Sequence, residues 1–97
     1  MISQKLMIVG LSESGKTTLA RRLCENLGKP VVAVNLRPGT HPEEWKRVEW
    51  NEVMTLENKT IVVEDLLSCT ESHFNIVKEL LGYNGHHYAV HIIIIEG

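Results

Sequence analysis

The chain has no excess of positive charge. Ten Lys and Arg against twelve Asp and Glu leave a formal charge of −2 over 97 residues, so it lacks the basic field that neutralising a nucleic-acid backbone usually requires. Any DNA contact is expected to be local or made by an assembled oligomer. The only two cysteines, Cys24 and Cys69, stand far apart and outside any CxxC spacing. A metal knuckle or a disulfide framework is thereby left without support, and reduced thiols in a cytosolic or nuclear protein are expected. No apolar run approaches the ~20 residues of a bilayer-spanning helix, and the start, Met1-Ile2-Ser3-Gln4-Lys5, has no signal-peptide form. An intracellular protein without a membrane partner is the expectation. Low-complexity tracts and repeats are lacking too, and 43% hydrophobic with 23% charged residues is the balance of a folded domain. The length leaves room for one α/β domain, residues 1–97.

What is present is a succession of short apolar runs and amphipathic stretches. Leu6-Met7-Ile8-Val9, closed by Gly10, reads as a strand buried on both faces. Leu19, Ala20, Leu23, Cys24 and Leu27 then recur at helical spacing, stopped by Gly28 and Pro30. Val31-Val32-Ala33-Val34 is a second strand, and such β-α-β spacing predicts parallel strands with a right-handed crossover. Arg37-Pro38-Gly39 marks a turn, and Thr40-His41-Pro42-Glu43-Glu44 has the form of a helix start; Trp45, Trp50, Val53, Met54 and Leu56 fit one helix loosely. Thr60-Ile61-Val62-Val63 is a third strand, ending in Glu64 and Asp65 at the carboxyl end, where open α/β sheets bind ligands. Ser68 with Glu71 predicts a capping box, followed by a helix with Phe74, Val77, Leu80 and Leu81 on its apolar face. Tyr83-Asn84-Gly85 is loop chemistry. From Tyr88 to Ile95 a fourth strand follows, whose four consecutive isoleucines belong in the centre of a sheet.

Gly10-Leu11-Ser12-Glu13-Ser14-Gly15-Lys16-Thr17 has the GxxxxGK[S/T] form of a P-loop, between the strand and the helix that the motif demands. Glycine lets backbone curl around an anion, and the N–H groups at a helix start favour phosphate. Gly10, Glu13, Ser14, Gly15, Lys16, Thr17 and Thr18 are the expected nucleotide-binding residues, with Lys16 on the β- and γ-phosphates and the Thr17 hydroxyl on Mg²⁺. Glu64 and Asp65 fit a Walker B element: by position Glu64 is the magnesium acid and Asp65 the base for the attacking water. The common order is Asp then Glu, so exchange of the two roles stays open. Acids at strand ends are also found simply as solvated turn residues. His86, His87 and His91 invite a metal hypothesis, but no Cys or acid joins them at a familiar ligand spacing. Arg21, Arg22, Arg37 and Arg47 are candidate charge-stabilising arginines, with plain solvation as the alternative.

With Glu64-Asp65-Leu66 and Leu81-Gly82-Tyr83-Asn84-Gly85-His86-His87 in hand, the sequence resembles the viral genome-packaging ATPases of the FtsK/HerA superfamily, in particular their Polinton and adintovirus-like branch. The resemblance runs over nearly the whole chain. It implies ATP as the nucleotide, a three-layer P-loop NTPase core of the additional-strand (ASCE) type, and a four-stranded parallel sheet of order 2-3-4-1 with helices on both faces. It implies further a virus-associated ring that moves double-stranded DNA. Lys16 and Thr17 match the Walker A positions, and Glu64 and Asp65 match Walker B. In the family the fourth strand ends in a polar sensor; here Glu96 and Gly97 follow Ile95, and an anion beside a γ-phosphate is repelled. Relative to the family the core is expected to be incomplete, lacking a fifth strand on the far side of strand 1. An open edge there favours a homo-oligomer or a partner protein. Two other functions compete with an ATPase. One is a nucleotide-binding or partner-binding module without efficient turnover; the other is a small nucleotide kinase, for which no arginine-bearing lid is visible.

Overall fold

The computed structural model describes residues 4–10, 15–35, 44–66, 69–82 and 89–96. Its strands are β1 (Lys5–Val9), β2 (Val31–Val34), β3 (Lys46–Arg47), β4 (Thr60–Glu64) and β5 (His91–Glu96), and its helices α1 (Lys16–Leu27), α2 (Trp50–Val53) and α3 (Glu71–Leu81). The strands form one all-parallel sheet in the order β1-β5-β4-β2-β3. The four expected strands therefore lie in the expected order, and the isoleucine run is central. The count is corrected from four to five.

The extra strand overturns the helix expected across Glu44 to Val48. Lys46 and Arg47 pair with Val32 and Ala33, and the Val48 N–H donates to the Ala33 carbonyl at 2.9 Å. Trp45 packs among Ile8, Ala20, Cys24 and Ala33, whereas Val48 packs among Val32, Val34 and Val53. A helix would turn two residues three apart to the same side; here they reach opposite faces of the sheet. The turn expected at Arg37-Pro38-Gly39 and the helix start expected at Thr40 to Glu43 lie outside the described residues.

Alternation along the strands divides the core into two layers. One joins Ile8, Ala33, Val62, Ile93 and Ile95 to Ala20 and Cys24 of α1. The other joins Val32, Val34, Ile61, Val63, Ile92 and Ile94 to Val53 of α2 and to Val77 and Leu80 of α3. Helices thus cover both faces, and each fully buried Val or Ile contributes roughly 1.5–3 kcal/mol relative to exposure.

Local chemistry sets the helix limits. Gly28 takes φ 71°, and its N–H bonds the Cys24 carbonyl, ending α1 in the left-handed turn that glycine adopts at low cost. For α3, Thr70 is the N-cap, its hydroxyl accepting from the His73 N–H at 3.3 Å. The cap is therefore two residues later than the expected Ser68, which lies outside the described residues, and Glu71 becomes the first residue of the helix. Two apolar faces are narrower than their periodicity predicts. Leu19 of α1 and Phe74 of α3 are exposed, with the Lys78 ammonium 5.7 Å above the Phe74 ring.

β1 also differs from expectation. Its apolar run predicts burial on both faces, yet Met7 is 60% and Val9 68% exposed, and of its residues only Ile8 is in the core. The helices of the second layer do not reach this strand, which is the sheet's terminal member.

Candidate functional site

In a parallel sheet all carboxyl ends open on one side. Across that rim, from β1 to β2, stand Gly10, Glu96, the Glu64-Asp65 pair and Asn35. Backbone bonds stitch the row together: the Gly10 N–H reaches the Glu96 carbonyl at 3.1 Å, and the Asp65 N–H reaches the Ile95 carbonyl at 3.0 Å. The motif that begins at Gly10 and the Glu64-Asp65 pair follow strands that β5 alone separates in the sheet.

α1 starts at this rim. Its N-cap, Gly15, takes φ 85° and ψ 15°, a left-handed conformation that costs a side-chain-bearing residue roughly 1 kcal/mol. Gly15 has no side chain with which to cap the helix, and the first helical bond runs from the Leu19 N–H to the Gly15 carbonyl at 3.0 Å. The N–H groups of the preceding turn therefore have no intrahelical acceptor, as at any helix start. Lys16 donates from its ammonium to the Gly10 carbonyl, so both ends of the motif meet. Thr17 is half-buried and Thr18 exposed. Glu13 and Ser14 lie outside the described residues.

Glu64 is the last residue of β4 and is half-buried, as is Asp65. Asp65 leaves the strand with φ 56°, a conformation that Asp tolerates better than most residues. Beside it Asn35 follows β2, also left-handed at φ 57°. Its Nδ2 donates to the Glu64 carbonyl at 2.9 Å, the Asp65 carbonyl at 3.1 Å and the Cys69 sulfur at 3.3 Å. Burial raises the Cys69 thiol pKa, and the charges of Asp65 and Glu96 raise it further. These two acids thus act on one point from adjacent strands. Glu96 is itself buried, ending β5 between Val9 and the row of Glu64.

The histidine hypothesis separates from this rim. His91 opens β5 at the opposite, amino-terminal end of the sheet, and its Nδ1 accepts the Gln4 N–H at 2.8 Å. Burial, and secondarily the Lys29 charge, lowers its pKa below 6.5. It is a neutral imidazole serving the sheet. His86 and His87 lie outside the described residues, among which no group of three or more His, Cys, Asp or Glu could hold a metal ion. Thr17 at the start of α1 and the Glu64-Asp65 pair at the end of β4 offer hydroxyl and carboxylate oxygens on the same rim, the donor type that magnesium prefers.

Of the candidate arginines, Arg21 pairs with Glu44 at 2.7 Å, both half-exposed. Arg22 and Arg47 are exposed, and Arg37 lies outside the described residues. A cleft of about 280 Å³ lies under the Arg21–Glu44 pair, beside Lys29, Val31 and Trp45. It is at the carboxyl end of α1, and none of the expected nucleotide-binding residues lines it.

Asn35 is the rim residue that the sequence reading missed. The available signal was an Asn directly after a buried strand at the carboxyl edge of a β-α-β unit, where its tolerance of left-handed backbone suits a turn. No helix among the described residues is long and apolar enough to cross a membrane. Compared with known proteins, the chain matches no family model and no curated sequence.

Proposed function

We propose that the chain is a P-loop NTPase core of the DNA-packaging, FtsK/HerA-like type that binds ATP with Mg²⁺ and hydrolyses it. One observation carries the reading: the GxxxxGK[S/T] segment joins a parallel strand to a helix whose N-cap is a left-handed glycine, with Lys16 folded back onto the Gly10 carbonyl and the Glu64-Asp65 strand end two strands away.

In this reading the backbone N–H groups of 13–18 receive the phosphates. Lys16 exchanges the Gly10 carbonyl for β- and γ-phosphate oxygens, so closing the loop on its own carbonyl keeps the ammonium at hand. Thr17 and Glu64 hold magnesium, which supplies positive charge against the charge that builds on the phosphates. Asp65 takes the proton of a water whose oxygen bonds the γ-phosphorus as the bond to the β-phosphate oxygen breaks, giving ADP and phosphate. Pinning of Asp65 to β5 through its N–H, together with its left-handed turn, holds one flank of the carboxylate's origin.

Replacing Lys16 by Ala is expected to abolish magnesium-dependent phosphate release and to weaken ATP binding by about tenfold or more, since a charge-assisted contact is lost. Native turnover in Lys16→Ala overturns the reading.

Glu96 favours a second reading, a nucleotide-binding module with little turnover. Its carboxylate ends the strand next to the P-loop strand, where a polar sensor is expected in the family. Calorimetry showing ATP binding without phosphate release supports that alternative. The exposed outer side of β1 suits a second copy or a partner protein, and DNA engagement follows only from the resemblance. Mass in solution with and without Mg-ATP separates a ring from a monomer or dimer. An intracellular setting belongs to this same proposal.

A further inference from the structure

We propose that Asn35 is a positioning residue for the two rim acids. This inference rests on the nucleotide-binding reading above and adds a part to it that the motif does not contain.

The need for such a residue comes from the sheet itself. β2 and β4 pair as far as Val34 and Val63, and the next residue of β2's chain, Asn35, takes a left-handed φ of 57°. Among the described residues the β2–β4 ladder stops one residue short of Glu64, just before the positions where two carboxylates must be held steady. The Asn35 side chain takes over where that ladder stops, its Nδ2 donating to the Glu64 and Asp65 carbonyls at 2.9 and 3.1 Å. Both acceptors are carbonyl oxygens, so only the NH₂ end of the amide can face them, and this fixes the orientation of the side chain. On the other flank the Asp65 N–H is held by Ile95 of β5. The acid pair is thus gripped from both neighbouring strands, from β5 through main chain and from β2 through one amide.

Without that amide, the Glu64-Asp65 turn retains its β5 contact and loses the two bonds from Asn35. The acids then lose the placement that Asn35 gives them. Nucleotide binding through the loop and Lys16 survives, and the added affinity that magnesium brings does not. Second-layer contacts of this kind act on metal affinity through ligand orientation rather than through contact with the metal.

The test uses the whole chain and ATP titrated with Mg²⁺ or with EDTA, read by calorimetry. Asn35→Gly removes the amide while keeping left-handed backbone without strain; Asn35→Asp retains the shape and replaces the donor by an acceptor. In both, the factor by which magnesium tightens ATP binding is expected to fall about tenfold, with affinity in EDTA unchanged within about twofold. If the hydrolysis reading holds, kcat falls in parallel and KM for ATP in saturating magnesium changes less. An undiminished magnesium factor in both variants overturns the assignment of Asn35 alone. Equal loss with magnesium and with EDTA overturns it as well, since Asn35 then supports the loop or the fold and not the acids. Failure of the native chain to bind ATP in any condition overturns the nucleotide reading and the role of Asn35 together.

Discussion

β1 and β5 lie side by side in the same sheet, and each carries four consecutive apolar residues, Leu6 to Val9 and Ile92 to Ile95. Their surroundings are unlike. Every residue of β5 is buried, including His91 and Glu96 at its ends, whereas β1 exposes alternate side chains at Lys5, Met7 and Val9. A strand has two faces and two edges, and an apolar run reports only that its side chains are suited to burial. It does not report whether a helix reaches over them. Among the described residues, β5 has strands on both edges and helices on both faces, and β1 has one strand and one helical layer.

The largest expected contrast comes from truncating the central strand. Ile93 is fully buried against α1, and Ile93→Ala is expected to cost about 3–4 kcal/mol through lost transfer energy and an unfilled cavity. Urea denaturation measures it, and a loss below about 1 kcal/mol would show that the two strands are not so different.

A smaller effect comes from the end of β5. The His91 pKa is lowered in the folded chain, chiefly by burial, so the unfolded chain binds a proton first as pH falls. Stability attributable to His91 is complete above its ordinary value of 6.5 and declines as pH drops through that value toward the lower folded one. Protonation also removes the Nδ1 acceptor of the Gln4 N–H, which joins β5 to the start of β1. A site-resolved NMR titration with denaturation from neutral to about pH 5 checks both parts. An imidazole titrating above 6.5 would reverse the sign.

The smallest effect belongs to β1. Met7→Gln, at a position 60% exposed, is expected to change stability by no more than about 0.5 kcal/mol. The same substitution would reduce any self-association through this edge, read by sedentation-type mass measurement such as analytical ultracentrifugation. A large loss of stability in the monomer would instead show that the outer face of β1 is covered in solution.

Much of the fold could be read from the chain because local and global signals agree there. The runs at Val31, Thr60 and Ile92 are β-branched and closely bounded, and Leu23, Cys24 and Leu27 repeat at helical spacing, so each period matches the element formed. Lys46 and Arg47 escaped because a two-residue strand has no period, and the neighbouring tryptophans and valine mimic a helical stripe. The rim was legible where chemistry is carried by a motif, at Gly15, Lys16 and Glu64-Asp65. Asn35 was not, since its role depends on β2 ending one residue before β4, a register that no local pattern encodes. The burial of Glu96 follows likewise from its neighbours and not from its type.

The placement of β5 has a consequence for how the chain assembles. Gln4 and His91, which bond to each other, are 87 positions apart, and the strand that separates β1 from β4 is the last of the five in sequence. Until residues 91–96 leave the ribosome, β1 lacks the neighbour it has among the described strands, and the side of β4 that faces β5 is unoccupied. The nascent chain therefore holds two unfinished halves apart, with apolar strand edges open to chaperones or to other nascent chains. Closure of the sheet is a late, long-range event of the slow kind that parallel topologies impose.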